Sequence, residues 1–440
     1  MSEGLAFIAN GSFSLVSFIV ALSIIVFIHE FGHYIVGRWC GIDAEVFSIG
    51  FGPVLLSRKD KHGTMWQIAL LPLGGFVKFS REETNCQATN ENFSNLNNNG
   101  HTFDGASVFA RTLTVLAGPF ANFILTFLIL IVFVLINGVS SEKVQIDKIT
   151  EYPFFSQNLR VNDTILSVNG QSTPDLNTFF DLFRDYSLDK EVKYTVDRDG
   201  IEQTVIGPHP FQAIVGSVSL RSAASASGLR QGDLIVKVNK AEIFSFLQLQ
   251  RVVNDTNNYP LILNIWRDGE VFDIFVTPKV VDYPDSNGEF VKRKLIGITG
   301  GFFFEFKKEK PNLFKASKIA VNQIVSIISG SLNGIKNILI GAISTCNLQG
   351  PIGIASTTGE AAQQGIASFV WIIAVLSTAI GMLNLFPIPM LDGGHLVFFG
   401  VEVLTRKKPT EKLIRGLSLF GLGLLLALML TAISSDLFCP

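Results

Sequence analysis

The sequence is poor in charge and in cysteine, and each shortage excludes a class of protein. Only 16% of its 440 residues are charged, against about 25% in ordinary soluble proteins. The net charge of −2 at pH 7 gives no basic field that would attract a nucleic-acid backbone, so no nucleic-acid partner is expected. The 4 cysteines share no CxxC spacing, which argues against a thiolate zinc site.

Apolar residues are abundant instead, at 48% of the chain, and they gather in long uncharged runs. Four runs are long enough to cross about 30 Å of hydrocarbon as helices: Gly4 to Ile28, Thr112 to Ser141, Ala361 to Leu391, and Gly416 to Ser435. A fifth uncharged stretch, Asn337 to Gly359, is interrupted by glycine and proline and is expected to lie at the interface or to pack on the spans. The sequence therefore predicts a polytopic α-helical membrane protein with four transmembrane helices in a lipid bilayer.

Lysine and arginine are concentrated in two of the connections between these runs. They lie between the first and second runs and between the third and fourth, whereas both ends of the chain lack them. The positive-inside rule places these two loops in the cytoplasm. Both termini and the large insert at about 140–310 are then predicted to lie outside.

The insert contains one pattern twice. Asn158 to Asn169 recurs as Gly228 to Asn239, and Arg198-Asp199-Gly200 recurs as Arg267-Asp268-Gly269. Alternating apolar residues precede each Arg-Asp-Gly, as a β-hairpin requires. The second copy resembles the PDZ domains of membrane and periplasmic proteases. We expect two extracytoplasmic PDZ-like β-rich domains, which either bind or gate peptides or act as spacers.

The first apolar run ends in His29-Glu30-Phe31-Gly32-His33, an HExxH pattern. One helical turn separates the two histidines, so both can offer a nitrogen to one tetrahedral zinc ion, with Glu30 beside it. Ionisable groups inside an apolar helix cost about 2.5 kcal/mol or more each unless they are paired, buried or metal-bound. The alternative is a snorkelling cluster near the cytoplasmic end, since Arg38 follows closely.

A zinc ion that keeps one position open for water needs a third protein ligand, and Asp392 at the end of the third run is the candidate. The predicted orientation puts Asp392 at the depth of the two histidines. His395 is a competing ligand that is expected to face the cytoplasmic loop. Upstream, two prolines free backbone carbonyl groups and imply a cavity. Asn384 would either donate to a peptide carbonyl or satisfy those freed groups, and both remain open.

The second run carries Gly118-Pro119-Phe120-Ala121-Asn122 at its cytoplasmic end. Glycine and proline in membrane spans commonly serve helix packing. We therefore interpret this segment as a kink with close packing rather than as part of the site.

The two motifs His29 to His33 and Asn384 to Gly393 resemble the HExxH and NxxPxPxLDG signatures of the site-2 family of intramembrane zinc metalloproteases. No motif residue is missing, and the four spans with tandem PDZ-like domains extend the resemblance to the whole chain. The resemblance implies zinc ligation by His29, His33 and Asp392, general-base chemistry by Glu30, and substrate contact by Asn384. It implies a metalloendopeptidase of the bacterial inner membrane that acts in regulated intramembrane proteolysis. Its substrates would be single-span proteins such as a trimmed anti-sigma factor, and remnant signal peptides.

This family is also said to hold its substrate against a membrane-dipping β-hairpin, and Glu45 to Phe79 fits that description. Two apolar runs there flank the polar turn Arg58 to Gly63. An unpaired strand edge would accept a substrate strand, which a helical substrate supplies only after unwinding. The alternative is a cytoplasmic cap over the site.

The predicted domains in chain order are the first transmembrane helix with HExxH (1–37), a cytoplasmic loop with the hairpin at about 45–79 (38–107), the second transmembrane helix (108–139), the PDZ-like domains (140–212 and 213–285), a connecting and interfacial helical region (286–360), the third transmembrane segment (361–400), and a cytoplasmic loop with the fourth helix (401–440). The Asn-rich stretch Thr84 to Gly100 is expected to be a mobile loop.

Two other functions compete with proteolysis. A non-proteolytic scaffold would hold a structural metal, but such zinc sites usually have four protein ligands and only three are evident. A metal transporter would need several polar groups at mid-membrane depth and repeated half-structures, which the sequence does not contain.

Overall fold

The structure is a computed structural model that describes residues 2–80, 102–155, 157–182, 190–257, 260–284 and 290–438. The predicted loop Thr84 to Gly100 lies outside these described residues. The chain forms two compact units: Met1–Val132 together with Lys315–Pro440, and Phe133–Phe314.

The helices of the described residues are α1 Ser2–Trp39, α2 Val108–Asn137, α3 Leu176–Leu182, α4 Ala223–Ser227, α5 Phe246–Asp255, α6 Leu313–Leu339, α7 Pro351–Gln364, α8 Ile366–Asn384, α9 Asp392–Thr405 and α10 Glu411–Phe438. The strands are β1 Ala44–Lys59, β2 Met65–Phe79, β3 Val139–Ser140, β4 Ile146–Ile149, β5 Thr164–Val168, β6 Gln171–Ser172, β7 Glu191–Arg198, β8 Ile201–Pro208, β9 Val215–Val218, β10 Leu234–Val238, β11 Ala241–Glu242, β12 Leu261–Arg267, β13 Glu270–Val276, β14 Lys279–Pro284, β15 Phe290–Leu295, β16 Ile298–Gly300, β17 Phe304–Phe306 and β18 Lys308–Glu309.

Among the described residues, four helices are long and apolar enough to cross a membrane: Gly11–Trp39, Val108–Asn137, Ile366–Asn384 and Glu411–Phe438. The predicted number of spans is therefore confirmed by length and composition. The predicted third segment, 361–400, contains the end of α7, all of α8 and part of α9, because the chain is interrupted on both sides of α8. Gly365 separates α7 from α8 with a φ of 121°, a backbone conformation that glycine adopts without steric cost.

Helix α7 packs on the first and last spans. Its first part, up to Gly359, belongs to the interrupted stretch Asn337 to Gly359, which was expected to lie at the interface or to pack on the spans. A Cβ atom at Gly359 would overlap Ser14 of α1. At the start of α7, Asp436 accepts hydrogen bonds from the backbone N–H groups of Gly350 (3.1 Å) and Gly353 (2.9 Å). A carboxylate from α10 therefore caps this helix N-terminus, where negative charge is favourable.

The two long strands β1 and β2 pair more than once, because each bends on itself. Phe47 is paired with Val77 and also with Trp66, and Arg58 is paired with Trp66. Residues 44–49 consequently run between the two halves of β2, and 54–59 and 75–79 form the outer edges. The bend in β1 lies at Gly50 and Gly52, whose φ values are 91° and 89°.

The second unit contains two four-stranded sheets with matching orders, β6-β5-β7-β8 and β11-β10-β12-β13. In the first, Arg198 forms a bidentate ion pair with Asp163, in which Nε and Nη2 donate to the two carboxylate oxygens at 2.8 and 2.7 Å. In the second, Arg267 does the same with Asp233, at 2.6 Å for both contacts. The Arg-Asp-Gly landmarks of the repeat thus serve one purpose in both sheets, which is to neutralise a buried aspartate.

Strands from beyond residue 290 complete both halves of this unit. Strand β16 pairs with β9, β17 with β4, and β18 with β3. Phe303 and Phe304 are 0% and 3% exposed and belong to the hydrophobic core around Ile146 and Phe179. The predicted connecting region 286–360 is therefore helical only from Leu313 onwards. Strands of two or three residues are too short to show an alternating pattern.

Candidate metal centre

Helix α1 and the start of α9 supply the side chains of the site. His29 and His33 lie one turn apart on α1, and Asp392 is the first residue of α9. The chain reaches Asp392 through a tight loop, since a Cβ atom at Gly393 would overlap the carbonyl oxygens of Leu385 and Phe386. The glycines after Asp392 therefore allow α9 to begin close to the end of α8.

The three ligand atoms form a small triangle. Nε2 of His29 is 3.2 Å from Oδ2 of Asp392, Nε2 of His33 is 3.4 Å from the same oxygen, and the two nitrogens are 3.2 Å apart. Neighbouring ligands of a tetrahedral zinc ion with bonds of 2.0–2.1 Å are separated by roughly 3.3 Å. The triangle therefore has the size of one face of a zinc coordination tetrahedron.

The protonation state of the side chains at the site also suits a bound cation. Nδ1 of His33 lies 2.8 Å from the backbone oxygen of Thr114, which can only accept, so Nδ1 carries the proton and Nε2 of a neutral ring presents a lone pair. Oδ2 of Asp392 is buried and receives no hydrogen bond. Three acceptor atoms thus converge on one point, an arrangement that a divalent metal ion would satisfy.

Glu30 lies on the same helix, half-buried, and interacts electrostatically with His29, His33 and Asp392. A Cβ atom on Gly75 would lie 3.3 Å from Cγ of Glu30. The outer edge 75–79 of the hairpin sheet therefore runs directly beside this carboxylate.

Asn384, the last residue of α8, also reaches the site, because its amide nitrogen is 3.4 Å from Nε2 of His29. His395 is exposed and is not part of the metal-binding group of His29, His33 and Asp392. The structure therefore brings together all five residues that the sequence selected and leaves out the competing ligand.

Helix α2 contributes two residues that the sequence analysis assigned to packing alone. A Cβ atom at Gly118 would overlap the imidazole ring of His33 and lie 2.9 Å from Cε1 of His29. Asn122 is 0% exposed, and its amide nitrogen is 3.4 Å from Nδ1 of His29. These residues do serve close packing, but the groups that they pack against are the two histidines. The sequence signal that could have identified them is the Gly-Pro-Phe-Ala-Asn run.

Asp60 in the turn between β1 and β2 ties the hairpin to α1. Its carboxylate accepts hydrogen bonds from the Tyr34 hydroxyl and the Trp66 indole, both at 3.0 Å, and from the backbone N–H groups of His62 and Thr64. Burial alone would raise the pKa of Asp60, but these hydrogen bonds outweigh it and lower the pKa to about 2. Because Tyr34 follows His33, the ionised turn fixes the hairpin next to the site.

A buried ion pair fixes α9 against α2. Arg111 donates to Glu402 at 2.8 Å, and their side chains are 6% and 13% exposed. The guanidinium also lies 5.1 Å from the centre of the Phe399 ring. Since α9 carries Asp392 and α2 contacts both histidines, this pair holds the two halves of the ligand set in register.

We expect Glu402→Leu to destabilise the protein by about 3–5 kcal/mol, because it leaves the Arg111 charge buried without a partner. The double variant Arg111→Met/Glu402→Leu should recover much of that loss. Denaturation of the purified variants in detergent measures both. A double variant no more stable than Glu402→Leu would contradict the assignment of the loss to an unpaired charge.

Comparison with known proteins places this geometry in a family. Residues 17–428 match peptidase family M50. A protein of Mesorhizobium japonicum named as a zinc metalloprotease is 30% identical over 436 residues, which cover 97% of this chain and 98% of that protein. The regulator of sigma-E protease RseP of Salmonella typhimurium is 31% identical over 456 residues, covering 96% and 98%. The chain therefore belongs to peptidase family M50, the site-2 protease family, and is a metalloprotease.

Proposed function

We propose that this protein is a zinc endopeptidase that cleaves transmembrane segments of single-span membrane proteins. The observation that carries the proposal is the triangle of His29, His33 and Asp392, whose two histidines lie on a helix long enough to span a membrane. Three protein ligands leave a fourth tetrahedral position free, as in catalytic rather than structural zinc sites. This count disfavours the alternative of a scaffold with a structural metal.

Each residue of the site has a separate role in this proposal. Zinc, when bound, supplies a Lewis acid that polarises the peptide carbonyl. Glu30 removes a proton from the attacking water and returns it to the leaving amine. Asn384 donates its amide N–H to the carbonyl oxygen, where negative charge develops. His29, His33 and Asp392 hold the metal.

The hairpin supplies a place for the scissile segment. A helical substrate hides its peptide groups in its own hydrogen bonds and must unwind before water can attack. The edge 75–79 lies beside Glu30 and offers backbone groups to which an extended segment can add as a further strand. Substrates with helix-weakening residues should therefore be cleaved preferentially.

Substrate selection would depend on the orientation of the chain. The positive-inside rule favours a cytoplasmic location for the hairpin loop and a periplasmic location for both termini and the β-rich unit. The active site would then lie near the cytoplasmic face of the inner membrane. The two sheets would act as PDZ domains that bind peptide ends or exclude large ectodomains. Trimmed anti-sigma factors and remnant signal peptides would pass this filter.

The test is mass spectrometry of a single-span substrate incubated with the purified protein in detergent or liposomes. We expect a cut within the apolar segment, which disappears after treatment with a zinc chelator and returns when zinc is added. A cut confined to the polar flanks, or one that persists without metal, would contradict the proposal.

A further inference from the structure

Asn122 occupies a fixed position beside the metal centre. It is 0% exposed, and its backbone oxygen accepts hydrogen bonds from the hydroxyl groups of Thr126 at 3.1 Å and Ser377 at 3.0 Å. A Cβ atom at Gly381 would lie 3.3 Å from the Cβ of Asn122. Contacts from helices α2 and α8 therefore fix the position of Asn122 beside the metal centre.

The side-chain amide of Asn122 has an unfavourable set of hydrogen-bond neighbours. His29 presents Nε2 to Asp392 at 3.2 Å, so Nδ1 must carry the ring proton if Nε2 is to bind a metal. The amide nitrogen of Asn122 faces that same Nδ1 at 3.4 Å, which sets a donor against a donor. At the other end of the amide, Oδ1 is buried without a hydrogen-bond partner.

Exchanging the two ends of the amide turns the donor–donor contact with His29 into a hydrogen bond. Amide oxygen and nitrogen have almost the same size, so the exchange leaves the packing unchanged. Oδ1 then accepts a hydrogen bond from Nδ1–H of His29. The unpaired buried oxygen gains a partner, and a histidine that lacked an acceptor gains one.

We propose that Asn122 is a positioning residue for the metal, and that its side-chain oxygen holds His29 in the tautomer that binds through Nε2. The backbone oxygen of Thr114 does the same for His33 at 2.8 Å. One helix, α2, thus orients both imidazole ligands, with a carbonyl for one and a side chain for the other. This inference rests on the proposed zinc site but requires no proteolytic activity.

The experiment measures zinc affinity of the purified protein by competition with a chromogenic chelator at fixed pH. Asn122→Leu keeps the size of the side chain but removes the acceptor, and should weaken zinc binding about 10- to 100-fold. Asn122→Asp supplies a carboxylate acceptor, as in common carboxylate–histidine–zinc arrangements, and should bind zinc at least as tightly as the wild type.

Thr358→Val is the matched control, because Thr358 is equally buried and its hydroxyl donates to the backbone oxygen of Ile354 within α7, which carries no residue of the site. It should keep wild-type zinc affinity. If Asn122→Leu does not fold, Asn122→Ala removes the acceptor without adding a branched group and replaces it. Unchanged affinity in the Leu or Ala variant, or an equal loss in the Asp variant, would overturn the inference. A wild type that binds zinc but cleaves nothing would instead refute the proposed function alone.

Discussion

Replacement of Glu30 by glutamine is expected to lower peptide cleavage by a factor of about 10² to 10⁴, the usual contribution of general acid–base catalysis. Glutamine has nearly the shape of glutamate but cannot accept the proton of the attacking water. Because His29, His33 and Asp392 are the proposed metal ligands and Glu30 is not among them, the variant should retain its metal. Mass spectrometry of the cleavage products and metal analysis of the same preparations measure both properties.

Glu411→Gln is the matched control, since Glu411 is exposed at the start of α10. It makes the same chemical change away from the site and should cleave like the wild type. Cleavage by Glu30→Gln at the wild-type rate would show that another group is the base. Absence of cleavage by both proteins, each with one tightly bound metal ion, would favour the scaffold function.

Gly118→Ala should have a comparably large effect, although it adds only a methyl group. The new Cβ would overlap the ring of His33 and approach His29, and both imidazoles are almost fully buried. The rings would have to rotate away from Asp392 to make room. We expect zinc affinity to fall by about 100-fold or more, since the loss of a group that merely orients a metal ligand already costs 10- to 100-fold.

Gly423→Ala tests whether the effect is specific. Gly423 lies in α10, another span, and a Cβ atom there would meet nothing within 4 Å. This substitution should leave zinc binding unchanged and stabilise the helix by about 0.5–1 kcal/mol, since glycine is unfavourable in helix interiors. Wild-type zinc affinity in Gly118→Ala would show that the space beside His33 is larger than the structure indicates.

The sequence selected residues marked by a local motif or by an isolated acid in an apolar run. His29 and His33 share a helix face by periodicity alone, and Asp392 followed from the need for a third ligand at the same depth. The positions of Gly118 and Asn122 beside the histidines could not be predicted, because they depend on which face of α2 meets α1. That choice is made by contacts between distant segments, and Gly-Pro-Phe-Ala-Asn is equally typical of ordinary helix packing.

In the fold, too, features set by a local stretch of sequence were predicted, and features set by distant partners were not. Long uncharged runs identify four spans because the length of a run sets what it can cross. The break at Gly365 was missed because the run Ala361 to Leu391 was delimited by its lack of charge alone, and Gln363 and Gln364 before the glycine carry none. Strands β16 and β17 were missed because each has three residues, and their identity comes from the partners β9 and β4.

Pairing of β4 with β17 and of β9 with β16 also sets an order of events during synthesis. Strand β4 leaves the ribosome long before its partner β17. Strand β9 is synthesised later than β4, and its partner β16 appears shortly before β17. The inner pair can therefore close first, while β4 must wait with an unpaired edge. Contacts so distant in sequence form slowly. A chain that stops before Ile298 would keep both edges open, and exposed edges of this kind recruit other chains.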